Sequence, residues 1–253
     1  MEIVGLRAFR DNYIWLLRRD TAAAVVDPGD AGPVLNYLSG NGLTLRAILV
    51  THHHPDHVGG VAALAARHDL PVFGPAGEEI PTVTHPLHEG ERVHLPALGA
   101  SFRVLEVPGH TRGHIAYYGA NALFCGDTLF GCGCGRLFEG TAQQMWNSLQ
   151  KLAALPAHTR IYCAHEYTQA NIAFALAVEP GNEALHERAR QVAEMRGHDL
   201  PTVPFTLAEE LATNPFLRVE LPSVKAAAQA RQGQPLEDPA AVFAAVREWK
   251  NRF

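Results

Sequence analysis

The stretch Thr51-His52-His53-His54-Pro55-Asp56-His57 decides how the chain is read. Inside it, His52-x-His54-x-Asp56-His57 sets four strong metal ligands within six positions. Neutral imidazole and carboxylate suit zinc, iron or manganese, and so dense a set is costly to bury unless a cation satisfies it. A purification-type histidine run would stand at a terminus and lack the aspartate. With strand-like alternation His52, His54 and Asp56 face one way and His57 another, so one segment can serve two neighbouring ions.

The flanks favour a catalytic over a structural role. Leu45 to Val50 is a short apolar run of the kind that forms a strand buried on both faces, and Val58 to Arg67 turns to helical composition. The ligands therefore fall on a strand-to-helix loop, where α/β folds commonly carry their chemistry. A structural zinc site is usually closed by four ligands, often cysteines. A set made only of histidine and aspartate points to an open, water-bearing site.

Three later segments share this form, each an apolar strand running into a ligand-type residue. Phe102 to Val107 leads to His110, Ala122 to Gly126 leads to Asp127, and Arg160 to Ala164 leads to His165. One such histidine would be read as an ordinary core or surface residue. Three in the same placement, downstream of the dense motif, reverse that reading. His114 is expected to be a hydrogen-bonding neighbour rather than a ligand. The remaining histidines, His53 and His68 among them, are read as ordinary.

The series His-x-His-x-Asp-His, Gly-His, Gly-Asp-Thr-Leu and a late His resembles the metallo-β-lactamase superfamily. Within it, Gly126 to Phe130, Gly133 to Thr141, His165 to Thr168 and Glu179 to Asn182 resemble glyoxalase II, the hydroxyacylglutathione hydrolases. The likeness runs from Asp11-Asn-Tyr-Ile14 to Arg247-Glu-Trp-Lys250. It implies an α/β fold, the αββα metallo-β-lactamase-like sandwich, with a C-terminal all-α domain. The expected division is a catalytic domain over 1–168 and a helical substrate-binding domain over 169–253. The chain's own patterning agrees in order. Strand-like runs such as Ile14 to Leu17 and Ala23 to Val26 alternate with turn signals such as Asp27-Pro-Gly29 up to about 168. Beyond it come helical stretches at 169–178, 183–196, 206–212, 222–231 and 238–250, the last opened by Asp238 as N-cap and Pro239.

Composition bounds the rest. With 253 residues, 47% apolar and 19% charged, the chain can bury a sizeable core, and no run approaches the ~20 apolar residues that span a bilayer. The opening Met1 to Arg7 lacks the pattern of a secretion signal, so cytoplasmic residence is expected. A net charge of −5 gives no argument for nucleic-acid binding. Cys125, Cys132, Cys134 and Cys163 are too sparse for a disulfide scaffold and are read as reduced thiols, neither ligands nor nucleophiles.

By the resemblance, His52, His54 and His110 hold one divalent ion, Asp56, His57 and His165 hold a second, and Asp127 bridges them. Zinc is expected, with iron or manganese as alternatives. Two such ions acidify a shared water, which attacks a thioester carbonyl while Asp56 orients it. A thiol leaves as thiolate at a pKa of about 8.5, so no separate acid is required. The resemblance also implies that Arg136, Phe138, Tyr167, Arg247 and Lys250 bind a glutathione thioester. Arg247 and Lys250 stand three apart on the last helix and hence on one face. Some family members carry lysine and tyrosine where this chain has Arg136 and Phe138. The charge is kept and one hydroxyl is lost, which predicts a weaker contact there. A monomer is expected.

Other functions fit less well. A β-lactamase has no use for the helical tail, and an RNA-processing phosphodiesterase would need a basic exosite. A persulfide dioxygenase uses a single iron, whereas Asp56, His57 and Asp127 together suit two ions. A silent binding module would not keep all seven ligands.

Overall fold

A computed structural model describes residues 1–68 and 70–253; the side chain of His68, one of the histidines read as ordinary, lies outside the described residues. The chain divides into two compact units, Met1–Glu106 with Arg112–Gly126, and Val107–Thr111 with Asp127–Phe253.

The first unit is built on a six-stranded sheet in sequential order: β1 (Glu2–Ala8), β2 (Asn12–Arg19), β3 (Ala22–Val26), β4 (Thr44–Leu49), β5 (Val72–Pro75) and β6 (His85–Leu87). β1 to β3 pair antiparallel, then β3 to β6 run parallel. The switch follows from the connections. A tight turn joins antiparallel neighbours, while the first two parallel steps are spanned by α1 (Ala31–Asn41), then by α2 (Pro55–Val58) and α3 (Val61–His68), and the β5–β6 step by the segment 76–84 without a helix. Val34 and Leu38 of α1 and Val61 and Leu64 of α3 pack with Leu16, Val25, Ile48 and Val50, covering one face of the sheet. Each large aliphatic side chain fully buried this way contributes about 1.5–3 kcal/mol. β4 is buried along Leu45 and Ala47 to Leu49, as expected for a strand flanked on both sides.

β7 (Arg92–Leu95), β8 (Ala100–Glu106), β9 (Ile115–Gly119) and β10 (Ala122–Gly126) follow as an antiparallel meander. Its inner residues Phe102, Val104, Tyr117 and Phe124 are fully buried, and the Tyr117 hydroxyl donates to Val50 O of the first sheet at 2.8 Å. Two sheets meeting on their apolar faces, with helices outside, make the αββα sandwich.

The second unit contains the hairpin β11 (Leu129–Phe130) and β12 (Gly133–Cys134), then α4 (Ala142–Ala153), β13 (Arg160–Cys163) and α5 (Thr168–Val178). It continues with α6 (Glu183–Gly197), β14 (Phe205–Thr206), α7 (Leu207–Thr213), α8 (Pro222–Gln232) and α9 (Pro239–Asn251). The five tail helices fall within one residue of the expected ranges. Their ends are marked locally: Thr206 and Glu209 form a capping box and Gly233 closes α8 at φ 71°. Asp238 stands at the N-cap of α9 with Pro239 at the first position, yet its side chain makes no cap hydrogen bond. The Ala241 N–H donates to the Asp238 backbone carbonyl at 3.0 Å instead. β14 is a short strand in an otherwise helical tail, paired antiparallel with β13. Among the described residues no helix is long and apolar enough to cross a membrane.

Candidate functional site

In the first unit the dense motif begins where β4 ends. Residues 52–54 lie outside helix and strand, with His54 extended, and Pro55 opens a helical turn, so Asp56 and His57 ride on α2. The strand alternation expected through Asp56 therefore stops at His54. Proline at a first helical position is pre-set for helix and breaks the extended run. Asn12 Nδ2 donates to Asp56 Oδ2 at 2.9 Å, tying that carboxylate to the start of β2. Gly29 lies so close beneath α2 that a Cβ there would come within 1.8 Å of Asp56 O.

Hydrogen bonds in this unit define the protonation of the imidazoles. Thr51 donates its backbone N–H and its hydroxyl to the buried carboxylate of Asp27, each at 2.7 Å. With its proton spent there, Thr51 Oγ1 accepts from His52 Nδ1 at 3.0 Å. His57 Nδ1 donates to Asp27 Oδ2, also at 3.0 Å. A carboxylate can only accept, so both rings carry a proton on Nδ1, which leaves Nε2 as the nitrogen available to a cation. His52 Nε2 stands 3.1 Å from His54 Nδ1, and His57 Nε2 stands 3.5 Å from Asp56 Oδ2. Two donors each about 2.0–2.1 Å from one tetrahedral ion stand about 3.3 Å apart, so these separations fit shared cations. His114, fully buried, stacks on His52 with ring centroids 4.6 Å apart. His53 pairs with Glu78 at 2.9 Å.

In the second unit Asp127 lies directly before β11, its two oxygens facing different histidines. Oδ2 is 3.4 Å from His110 Nε2 and Oδ1 is 3.4 Å from His165 Nε2. His110 Nδ1 donates to Arg136 O at 2.8 Å, which again leaves Nε2 as the available nitrogen. One carboxylate flanked by an imidazole on each oxygen has the arrangement of a bridging ligand. His165 stacks flat on Tyr167 at 4.7 Å, and Phe130 meets both edge-on.

His110 and Asp127 open into a cleft of about 580 Å³ whose walls include Phe130, Arg136, Phe138, Tyr167, Arg247 and Lys250. That size suits a ligand well beyond a few atoms. All five residues expected to bind substrate line it. Arg247 is buried, donating to Cys134 O at 2.8 Å with its guanidinium 5.0 Å over the Phe216 ring. The half-buried Lys250 ammonium lies 5.2 Å over Phe174. Burial, and then the charges of Arg247 and Arg136, push the Lys250 pKa down to about 8. Phe138 is 64% exposed and presents its ring edge-on to His110. The four cysteines are free and buried. Burial, and then Glu210, pushes the Cys132 thiol up to about 12, and burial raises Cys134 as well, so both stay protonated.

Two residues of this arrangement escaped the sequence reading. Asp27 reads as part of an Asp-Pro-Gly turn, and Asn12 as one letter of a resemblance. The available signal was an acidic residue at the end of an all-apolar strand, β3, the same placement that marked the ligands.

Among the described residues, groups of histidine and aspartate lie close enough to hold a metal ion. The model of the metallo-β-lactamase superfamily matches residues 7–165, and that of the hydroxyacylglutathione hydrolase C-terminus matches residues 166–253. A hydroxyacylglutathione hydrolase of Nitrosomonas europaea is 53% identical over 253 residues, covering 100% of this chain and 97% of the relative. One from Alkalilimnicola ehrlichii is 57% identical, covering 99% of each. A solved structure, TTHA1623 in a di-iron-bound form, is 33% identical with a TM-score of 0.55, covering 65% of this chain and 92% of that one. The two-sheet fold and the histidine and aspartate donors are those of a metallo-β-lactamase-type hydrolase. The chain belongs to the hydroxyacylglutathione hydrolase family of that superfamily.

Proposed function

We propose that the chain hydrolyses S-(2-hydroxyacyl)glutathione thioesters, S-D-lactoylglutathione foremost, to glutathione and a 2-hydroxy acid such as D-lactate, in methylglyoxal detoxification. Full-length identity above one half to relatives named for this activity supports the reading. The observation that carries it is one cleft holding both parts of the task. Asp127 with an imidazole on each oxygen stands at one end, and the cations Arg136, Arg247 and Lys250 line the same walls. Glutathione carries two carboxylates, for which guanidinium and ammonium groups are the matching partners.

In this reading His52, His54 and His110 hold one divalent ion, Asp56, His57 and His165 a second, and Asp127 serves both. The fixed Nδ1 protons, which leave Nε2 available on His52, His57 and His110, favour such ligation. Zinc is our first assignment, and the di-iron relative makes iron the alternative. When bound, the ions lower the pKa of a water and offset negative charge developing on the thioester oxygen. Asp56, steadied by Asn12, accepts a hydrogen bond from the attacking water and orients it. The thiolate leaves without an acid because its conjugate pKa is about 8.5. Arg136, Arg247 and Lys250 hold the peptide carboxylates, while Tyr167 and Phe138 pack beside its chain.

We assign 1–168 to catalysis and 169–253 to substrate binding. Four free, buried thiols favour a reducing compartment, the cytoplasm, and the net charge of −5 favours a small anion held locally over nucleic acid. We take the monomer as the working unit. The test is hydrolysis of S-D-lactoylglutathione by protein whose metals have been counted. Two ions per chain with turnover support the reading, and metal-replete protein without turnover rejects it.

A further inference from the structure

The hairpin Leu129–Cys134 forms a wall of the cleft through Phe130 and Cys134, and its backbone is held residue by residue. Asn214 Nδ2 donates to Phe130 O at 3.3 Å and to Gly133 O at 2.9 Å. Asn171 Nδ2 donates to Gly131 O at 3.0 Å, and Arg247 donates to Cys134 O at 2.8 Å. The Cys132 N–H donates to the carboxylate of Glu210, 3.0 Å to Oε2. Glu210 is fully buried, and its other partners are Arg188 at 2.6 Å and Asn214 Nδ2 at 2.7 Å. Arg188, itself buried, also donates to Thr213 Oγ1.

Cys132 sits at the tip with φ 53°, a left-handed conformation that is strained for a side-chain-bearing residue. Glycine would relieve it, but the Cys132 side chain fills a core with Ile172, Ala175, Leu185 and Val192. The turn therefore needs an outside hold, and a charge-assisted hydrogen bond to a buried carboxylate is stronger than a neutral one. An ion pair costs more to bury than an apolar pair of similar volume. A purely structural core would not require one here.

We propose that Glu210, paired with Arg188, is a positioning residue for substrate binding: it holds the Cys132 turn so that the hairpin presents its side of the cleft, and with it the Arg247 anchor at Cys134. This rests on the glutathione thioester reading above. The charge of Arg188 serves Glu210, and the acceptor of Glu210 serves the hairpin, so the two can be separated by variants.

The experiment compares Arg188→Met/Glu210→Leu, which removes pair and acceptor, with Arg188→Met/Glu210→Gln, which removes the charges and keeps an acceptor for Cys132. Replacing a buried pair by apolar groups usually preserves folding. Glutathione affinity is measured by calorimetry, KM and kcat with S-D-lactoylglutathione, and amide hydrogen exchange over 129–134 by mass spectrometry. The leucine variant should bind glutathione about tenfold more weakly and raise KM alike, with kcat within about twofold. It should lose exchange protection in the hairpin, and the glutamine variant should restore both. Unchanged affinity and protection in a folded leucine variant overturn the proposal, as does loss in the glutamine variant equal to that in the leucine variant. If the leucine variant does not fold, Arg188→Leu/Glu210→Met, which likewise removes pair and acceptor, takes its place under the same criteria. If wild-type protein neither binds glutathione nor cleaves the thioester, the functional reading falls and the substrate role of Glu210 falls with it. Exchange then reports only whether Glu210 holds the turn.

Discussion

Asp27 Oδ2 meets His57 Nδ1 at 3.0 Å, with both groups closed off from solvent. The same carboxylate takes both donors of Thr51, whose hydroxyl in turn accepts from His52. A single side chain outside the expected ligand set thus fixes the tautomers of two members of it. Asp27→Asn keeps the shape but brings N–H donors into a site that needs only acceptors. Metal affinity in chelator competition should fall about 10–100-fold, with activity recovered by excess metal. Wild-type affinity in this variant would remove Asp27 from the account.

Lys250 gives the cleft a pH response. Its pKa is pushed down to about 8, first by burial and then by Arg247 and Arg136. Below pH 8 the ammonium is charged and attracts the substrate carboxylates; above it the charge is lost. KM should therefore be flat at pH 6–7 and climb above 8, by at most roughly tenfold per unit, with kcat changed far less. Lys250→Met should have a raised KM at pH 7 and no climb near 8. The same sign governs stability. The neutral form is favoured in the folded state, so Lys250 works against folding below about 8, and that cost fades as pH rises toward the unfolded value near 10.5. A KM profile in Lys250→Met that matches wild type would show another group is titrating.

Phe138 stands 64% exposed at the cleft mouth with its edge toward His110. A tyrosine there regains a hydroxyl beside the peptide at no packing cost, because the ring already reaches solvent. Phe138→Tyr should lower KM by about 2–10-fold, the worth of one hydrogen bond, and leave kcat alone. An unchanged KM would mean that the hydroxyl does not reach the substrate.

How much of this arrangement was legible depends on how local its cause is. Helix ends in the tail were readable to within a residue because caps such as Thr206 and breakers such as Gly233 act on their own neighbours. The candidate ligand positions at strand ends were readable because an apolar run stopping at a histidine or aspartate is a pattern within ten residues. Pro55 was a local signal too, though the alternation of His52 and His54 hid it. The partnership of Asn12 with Asp56 spans 44 positions and that of Cys132 with Glu210 spans 78, so neither has a local trace. The same holds for Arg247 and Lys250. Their spacing places them on one helix face, but tertiary contacts turn Arg247 to Cys134 O and Lys250 to Ala170 O.

The contact of Arg247 with Cys134 O separates its role from that of Asp127. Nη1 is committed to Cys134 O, and Nε is buried without a hydrogen bond among the described residues, while the residue as a whole lines the cleft. Arg247→Ala should raise KM for the glutathione thioester by about 10–100-fold, the cost of a charge-assisted contact plus a loosened hairpin, with kcat within a few-fold of wild type. Arg247→Lys should recover little, because an ammonium cannot reach the carbonyl and offer a second directed donor from one fork. Asp127→Ala should instead abolish turnover and lower the metal count, since the carboxylate faces both His110 and His165. Steady-state kinetics together with metal analysis distinguish the two. A kcat collapse in Arg247→Ala at full metal content would place the guanidinium in the chemical step instead of in binding.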